Sequence, residues 1–105
     1  TTISEAQYEE AAKRIAAAGL TDKITLLKSD YRDLTGQFDK LVSVEMIEAV
    51  GHKFLPAFFK KCGELLKPDG KMVIQAITIS DQKYKQYIRG VDFIQRYVFP
   101  CGCLP

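Results

Sequence analysis

No apolar run in the chain approaches the roughly 18 residues of a membrane-spanning helix, and the opening TTISEAQYEE lacks the basic and apolar regions of a secretory leader. A cytoplasmic location is expected. Neither GxGxxG nor GxxxxGK(S/T) occurs, so these 105 residues hold no glycine loop of the kind that cradles phosphate. There is one histidine, His52, and no spacing suggests a Ser-His-Asp or Cys-His system. Charge of one sign is missing too: fifteen Lys and Arg against thirteen Asp and Glu leave a net +2, with the cations scattered, which argues against a nucleic-acid partner. Cysteines number three, an odd count with no disulfide framework. Cys62 lies on an apolar helix face as a core filler, and Cys101-Gly-Cys103 offers too few ligands for a structural zinc site. No metal is expected. Repeats and low-complexity linkers are absent.

What remains is an ordinary globular composition, 47% apolar and 27% charged, at a length that allows one domain with a modest core. Thr1-Thr2-Ile3 resembles the tail of a strand. Ser4, with Gln7 three residues on, fits a helix cap and capping box, and Glu5 to Ala18 reads as a helix stopped by Gly19. Ile24 to Leu27 is expected to be a short strand, and Ser29 to Asp33 a polar loop. Leu27 to Phe38 is short for a full helix, so a single turn is expected there. Phe38 to Met46 reads as a buried central strand. Phe54 to Leu66 forms a helix with the stripe Phe54, Leu55, Phe58, Phe59, Cys62, Leu65 and Leu66. Lys67-Pro68-Asp69-Gly70 is a turn, because Pro ends the helix and Gly accepts positive φ. Lys71 to Ile79 is the next strand, Asp81 to Arg89 a loop or weak helix, and FPCGCLP closes the chain in turn-formers. Alternating helices and strands imply an α/β fold with a parallel sheet.

The stretch Phe38 to His52, FDKLVSVEMIEAVGH, organises the chain. Ligands of open α/β sheets sit outside the carboxyl ends of strands, and there Glu45, Glu48, Gly51 and His52 cluster. The same acids also suit the first turn of a solvated helix. Ser4 and Gln7 either only cap their helix or open a site for an anion or ribose edge. Asp30-Tyr31-Arg32 is either turn chemistry or an adenine-binding corner, with a carboxylate for the amino group and an aromatic ring to stack. Gln75 interrupts an apolar strand, and a buried amide needs partners. Strand-end geometry would turn Gln75 and Glu48 to one cleft.

Taken together, TTISEAQ, DYRDLTGQFDKLVSVEMIEAVGH, LLKPDG and RYVFPCGCLP resemble the cyclopropane-fatty-acyl-phospholipid synthase family over nearly the whole chain. The resemblance implies a partial Rossmann-like class I methyltransferase fold, a mostly parallel sheet with flanking helices, here without the first strand and its glycine-rich loop. It implies S-adenosylmethionine as co-substrate, with Thr2 and Gln7 lining its pocket and Asp30, Tyr31 and Arg32 bordering the adenine. Glu48 would help hold a bicarbonate ion acting as general base, with Gln75 and Ile77 beside it. Two positions depart from the pattern: Gln75 stands where family members commonly have His, and Ala49 follows Glu48 where they commonly have His. Gln75 can hydrogen-bond a carbonate but cannot carry a proton as imidazole can.

The implied reaction moves a one-carbon unit from the sulfonium to a cis double bond of a phospholipid acyl chain, and loss of a proton then closes a three-membered ring. On this reading residues 1–105 are a single internal fragment of a catalytic domain, expected to be inactive alone. The parent would work at the inner face of the membrane on phospholipid acyl chains. The exposed edge and apolar surface left by a missing strand predict a homodimer, with exchanged elements as one form. Two other readings stay open: a non-catalytic α/β binding module, and a related lipid methyltransferase that adds a methyl group without closing the ring.

Overall fold

The computed structural model describes residues 1–91, 93–100 and 102–105, in two compact units, Thr1–Gly36 and Gln37–Pro105. Of the Cys101-Gly-Cys103 motif, Cys101 lies outside the described residues.

The first unit is built on helix α1 (Glu5–Ala17). Ser4 caps it, its hydroxyl accepting the Gln7 N–H at 3.4 Å, and Glu5 places an acid in the first turn, where the helix dipole favours it. Glu10 and Arg14, one turn apart, pair at 2.7 Å. Gly19 ends the helix at φ 65, a left-handed position that glycine occupies without a Cβ penalty. Tyr8, Ala11 and Ile15 form its half-buried stripe. The capping box is only half made, because the Gln7 side chain meets Thr2 rather than the Ser4 backbone.

Ile24 to Leu27 is not a strand, contrary to the sequence reading. Pairing here is one parallel bridge, Thr2 with Lys28, held by Thr2 N–H to Leu27 O at 3.0 Å and Ser29 N–H to Thr2 O at 3.1 Å. A ladder needs successive paired residues, and here Thr2 pairs with Lys28 alone among the described residues. The expected single turn is present at Tyr31–Asp33.

In the second unit, strands β1 (Phe38–Val44) and β2 (Leu66–Gln75) pair in parallel, with helix α2 (Leu55–Leu65) as the crossover. Pro56 enters α2 in its first turn, where the missing N–H costs nothing. Register is regular from Lys40 opposite Lys71 to Val44 opposite Gln75. Before that, Phe38 pairs with Leu66, so Asp39 alone stands opposite Lys67, Pro68, Asp69 and Gly70. The expected turn is therefore an outpocketing of β2, and Lys67 bridges it to Asp39 at 2.8 Å. Gly70 does not need positive φ there. A Cβ would stand 2.9 Å from both the Lys67 carbonyl and Leu66 Cδ2, so close approach is what calls for glycine. β2 stops at Gln75 rather than Ile79, since β1 offers no partner beyond Val44.

The buried core of this unit is Ile47, Phe58, Cys62 and Leu65. Leu41 and Ser43 of β1, with Met72 and Ile74 of β2, occupy the more buried side of the sheet. The opposite side corrects the expectation of a strand buried on both faces: Val42, Val44 and Val73 are 69%, 60% and 61% exposed. Gln75 shares that side and is likewise exposed, so it is not the buried amide expected. The helical stripe is also narrower than the sequence suggested, as Phe54 and Phe59 are both exposed. Asp81–Tyr87 is a true helix, α3, and Ile94–Val98 forms a π-helical turn. No helix among the described residues is long and apolar enough to cross a membrane.

Ser43 carries a cost. Its side chain is buried and its hydroxyl meets no partner. An unsatisfied buried hydroxyl is destabilising by about 1–3 kcal/mol, so Ser43→Ala is expected to raise the unfolding free energy by roughly 1 kcal/mol once the small void is discounted. Urea denaturation of the two proteins checks this, and a lower midpoint for the alanine variant would refute it.

Candidate functional site

β1 ends where the backbone turns sharply. Glu45 adopts φ 50, the one positive value at a non-glycine among the described residues, a conformation that costs an L-residue about 1–2 kcal/mol. Its N–H still donates to Gln75 O at 2.9 Å, and its carboxylate accepts the Gln75 side-chain amide at 3.1 Å. One short helical turn later, in Ile47–Ala49, Ile47 anchors in the core and Glu48 projects the other way.

Glu48 lines a cavity of about 640 Å³. Its Oε1 accepts the Ile77 N–H at 2.6 Å, and its main-chain carbonyl accepts the Cys103 N–H at 2.7 Å. Its Oε2 is buried and has no hydrogen-bond partner. The remaining lining is largely apolar, with Ile77, Ile94, Val98, Phe99 and Leu104 among its members, and Glu45 stands in the same wall. Residues 102–105 close one side: Leu104 N–H donates to the Tyr87 hydroxyl at 3.1 Å, and Gln95 donates its amide to Gly102 O at 3.1 Å. A fixed carboxylate with one oxygen engaged and the other bare, in an apolar chamber, suits a small ligand that brings its own hydrogen-bond donor.

Of the residues expected at this end of the sheet, Glu48 and Ile77 come together. Gln75 does not line the cavity; it reaches the site through Glu45. His52 opens the turn His52–Phe54 and lines no part of the cavity. Sequence reasoning missed Tyr87, because its segment read as polar and uncertain; Tyr84 and Tyr87, three apart, were the available sign of a helical face.

The first unit gathers the other expected residues in two places. Thr2 donates its hydroxyl to Gln7 Oε1 at 2.7 Å and accepts the Ser4 N–H at 3.1 Å, at the start of α1. Asp30 clasps Arg32: Oδ1 accepts the backbone N–H and Nε, each at 2.9 Å, and Oδ2 accepts Nη2 at 2.7 Å. Tyr31 is half-buried between them in sequence. A carboxylate has about four acceptor positions, so the clasp leaves one on Oδ2 for a ligand N–H.

Those hydrogen bonds from Arg32, first its side chain and then its backbone, lower the Asp30 carboxyl from 3.8 to about 2. A depressed carboxyl contributes stability that is complete above its ordinary value and disappears as pH falls through the folded one. The Asp30–Arg32 clasp is thus expected to hold at pH 4 and to open only as pH falls through about 2, its contribution to stability declining from 3.8 downward. Carboxyl-carbon NMR shifts of Asp30 would check this, and titration at the ordinary value would refute it.

A parallel α/β unit whose acidic loop follows a strand end defines the class. The match to a solved structure supplies the rest: the chain shares the class I methyltransferase fold of mycolic acid cyclopropane synthase CmaA1, solved with SAH and CTAB, at TM-score 0.77 and 25% identity, over 99% of this chain and 40% of that one. The mycolic acid cyclopropane synthetase family model matches residues 1–105, and the chain belongs to that family. Tuberculostearic acid methyltransferase UfaA1 of Mycobacterium tuberculosis is 42% identical over 99% of the chain and 24% of its own length. The cyclopropane-fatty-acyl-phospholipid synthase of Escherichia coli K12 is 40% identical over 99% of the chain and 25% of its own length. The chain spans about a quarter of the length of these two relatives.

Proposed function

We propose that this chain contributes the acid–base end of an S-adenosylmethionine-dependent lipid methyltransferase, one that adds a methylene across the cis double bond of a phospholipid acyl chain. The observation that carries the reading is the bare, buried Oε2 of Glu48 in the wall of an apolar cavity. Bicarbonate fits that atom, because its O–H is a donor of the right size. When bound, such an ion supplies a proton acceptor beside the acyl chain, away from bulk water. Glu48 would hold it, the Ile77 N–H would keep Glu48 in place, and Gln75 would act at one remove, through its amide on Glu45. The apolar lining would exclude water from a cationic carbon.

Adenosylmethionine, on the same reading, meets Thr2 and Gln7 at the start of α1 and the open acceptor of Asp30, with Tyr31 and Arg32 alongside. The polar groups present fit an adenosyl ligand: a hydroxyl, an amide and a carboxylate with one free position. Support for the chemistry comes from the family and from relatives named for cyclopropane formation and for methyl transfer. Work at the inner membrane face and a homodimer that covers Val42, Val44 and Val73 complete the proposal.

A second reading keeps the cofactor and lipid but leaves the ring open. Gln75 favours it, since an amide cannot shuttle a proton. Expression of the gene in a bacterium without cyclopropane lipids, followed by mass spectrometry of its acyl chains, tests both. Acyl chains heavier by one methylene support methyl-group chemistry, and ring-specific NMR signals separate the two products. Unchanged lipids, with the protein present and folded, would favour a non-catalytic module.

A further inference from the structure

Three large apolar side chains beyond α3 are mostly bare. Val91, Phe93 and Tyr97 are 72%, 69% and 64% exposed, and none of them lines the cavity, so this is outer surface. The Phe93 and Tyr97 rings stand 5.1 Å apart, and the Arg96 guanidinium lies over the Tyr97 ring, 5.4 Å from its centre. The π-helical turn that carries Tyr97 also puts Ile94 and Val98 into the cavity wall, with Phe99 directly after. One short segment thus forms a wall of the apolar cavity and an apolar outer surface.

Positive charge collects in the same place. Over residues 81–99 the sequence has four cations, Lys83, Lys85, Arg89 and Arg96, against two acids, Asp81 and Asp92, while the remaining residues balance at eleven against eleven. The whole net charge of +2 therefore arises here. All four cations are exposed, and none pairs with an acid among the described residues. Rings, aliphatic side chains and cations in one surface suit the boundary of a bilayer, where rings rest among headgroups and cations meet anionic lipid. A protein partner would find little regular structure to pack on, since α3 has seven residues and a π-helical turn follows.

We infer that residues 91 and 93–99, with the cations of α3 and Arg89, form a surface that rests on an anionic bilayer. An acyl chain then enters the cavity past Ile94, Val98 and Phe99 without crossing water. The inference rests on the lipid-modifying reading above and adds to it which face meets the membrane.

Vesicle sedimentation with the full chain makes the test, using phosphatidylcholine alone or mixed equally with phosphatidylglycerol. A cation at an anionic surface contributes about fivefold in affinity. Wild type is expected to prefer the mixed vesicles by about tenfold or more, a preference that salt removes. Arg89→Gln/Arg96→Gln should lose most of the preference and keep its binding to phosphatidylcholine. Phe93→Ser/Tyr97→Ser should bind both vesicles about tenfold or more weakly, through the apolar area no longer buried. Val42→Ser/Val73→Ser removes exposed apolar area elsewhere in the unit and should bind as wild type does. An equal loss there would overturn the inference, as would undiminished binding by the ring variant or no binding by wild type. A lipid-free dimer that Phe93→Ser/Tyr97→Ser dissolves, seen by light scattering, would make a second copy the cover and overturn it as well. Lipid analysis of cells expressing the gene separates this inference from the reading beneath it. Unchanged acyl chains, with vesicle binding lost only in the ring and arginine variants, would remove the methyltransferase reading and leave the surface standing. Modified acyl chains at equal yield from wild type and both variants would do the reverse.

Discussion

Glu48→Gln is expected to lower methyl-group transfer to lipid by about a hundredfold, the lower end of what a positioned acid–base group contributes. The substitution keeps shape and length. Its carbonyl oxygen still takes the Ile77 N–H that Glu48 Oε1 accepts at 2.6 Å. What changes is the other position, where a buried acceptor without a partner becomes an NH2 donor. A ligand that presents an O–H then faces a donor, and the contact turns from attractive to repulsive. Stability should move the opposite way, because a buried, half-satisfied carboxylate is replaced by a neutral amide. The combination is diagnostic: activity down about a hundredfold, melting temperature unchanged or raised. Lipid analysis of cells expressing each form, normalised to protein, measures the first, and thermal denaturation measures the second. Activity within a few fold of wild type would remove Glu48 from the chemistry.

That carboxylate was legible in the sequence because two local signals met. A β-branched run announced the strand, and acids followed where a strand should end. Its partner Ile77 was legible only through the family resemblance, since nothing about an apolar residue in an apolar run marks its N–H as a ligand. The helix starts were also legible. Ser4 does cap α1, because capping depends on residues within one turn.

What failed depended on long-range neighbours. Ile24 to Leu27 has the composition of a strand, but strand formation requires a partner, and Thr2 supplies one residue of pairing. Gln75 looked buried because its neighbours are apolar, although alternation puts it on the side of Val42 and Val73, which are exposed. Composition states what a residue prefers and not which side of a sheet is covered. Gly70 was expected in a turn with positive φ, yet it lies in the outpocketing of β2, where the constraint is the Lys67 carbonyl 2.9 Å from a would-be Cβ. Glu45 was noticed as one of a pair of acids. Its conformation, which separates it from Glu48 in role, is invisible without the backbone.

The same distinction between pattern and covering yields the largest expected effect on stability. Phe58 and Phe59 both belong to the apolar stripe of the sequence, and their rings meet edge to face at 5.3 Å. Phe58 is 1% exposed, however, and Phe59 is 49% exposed. Truncating a fully buried Phe costs about 3–5 kcal/mol through lost transfer energy and the cavity left behind. Among the described residues, Ile47, Cys62 and Leu65 are the others buried in the core of this unit, so the surroundings have few side chains that can move in to fill the void. Small domains hold roughly 5–15 kcal/mol of net stability, and Phe58→Ala is therefore expected to remove a large share of it, giving an early thermal transition. Phe59→Ala loses the edge-to-face contact and a half-exposed ring, and should cost about 1–2 kcal/mol. Paired urea titrations give the ratio directly. Equal losses would mean that Phe59 is covered in solution by something beyond its own chain, and the concentration dependence of its midpoint would then identify a second copy as the cover.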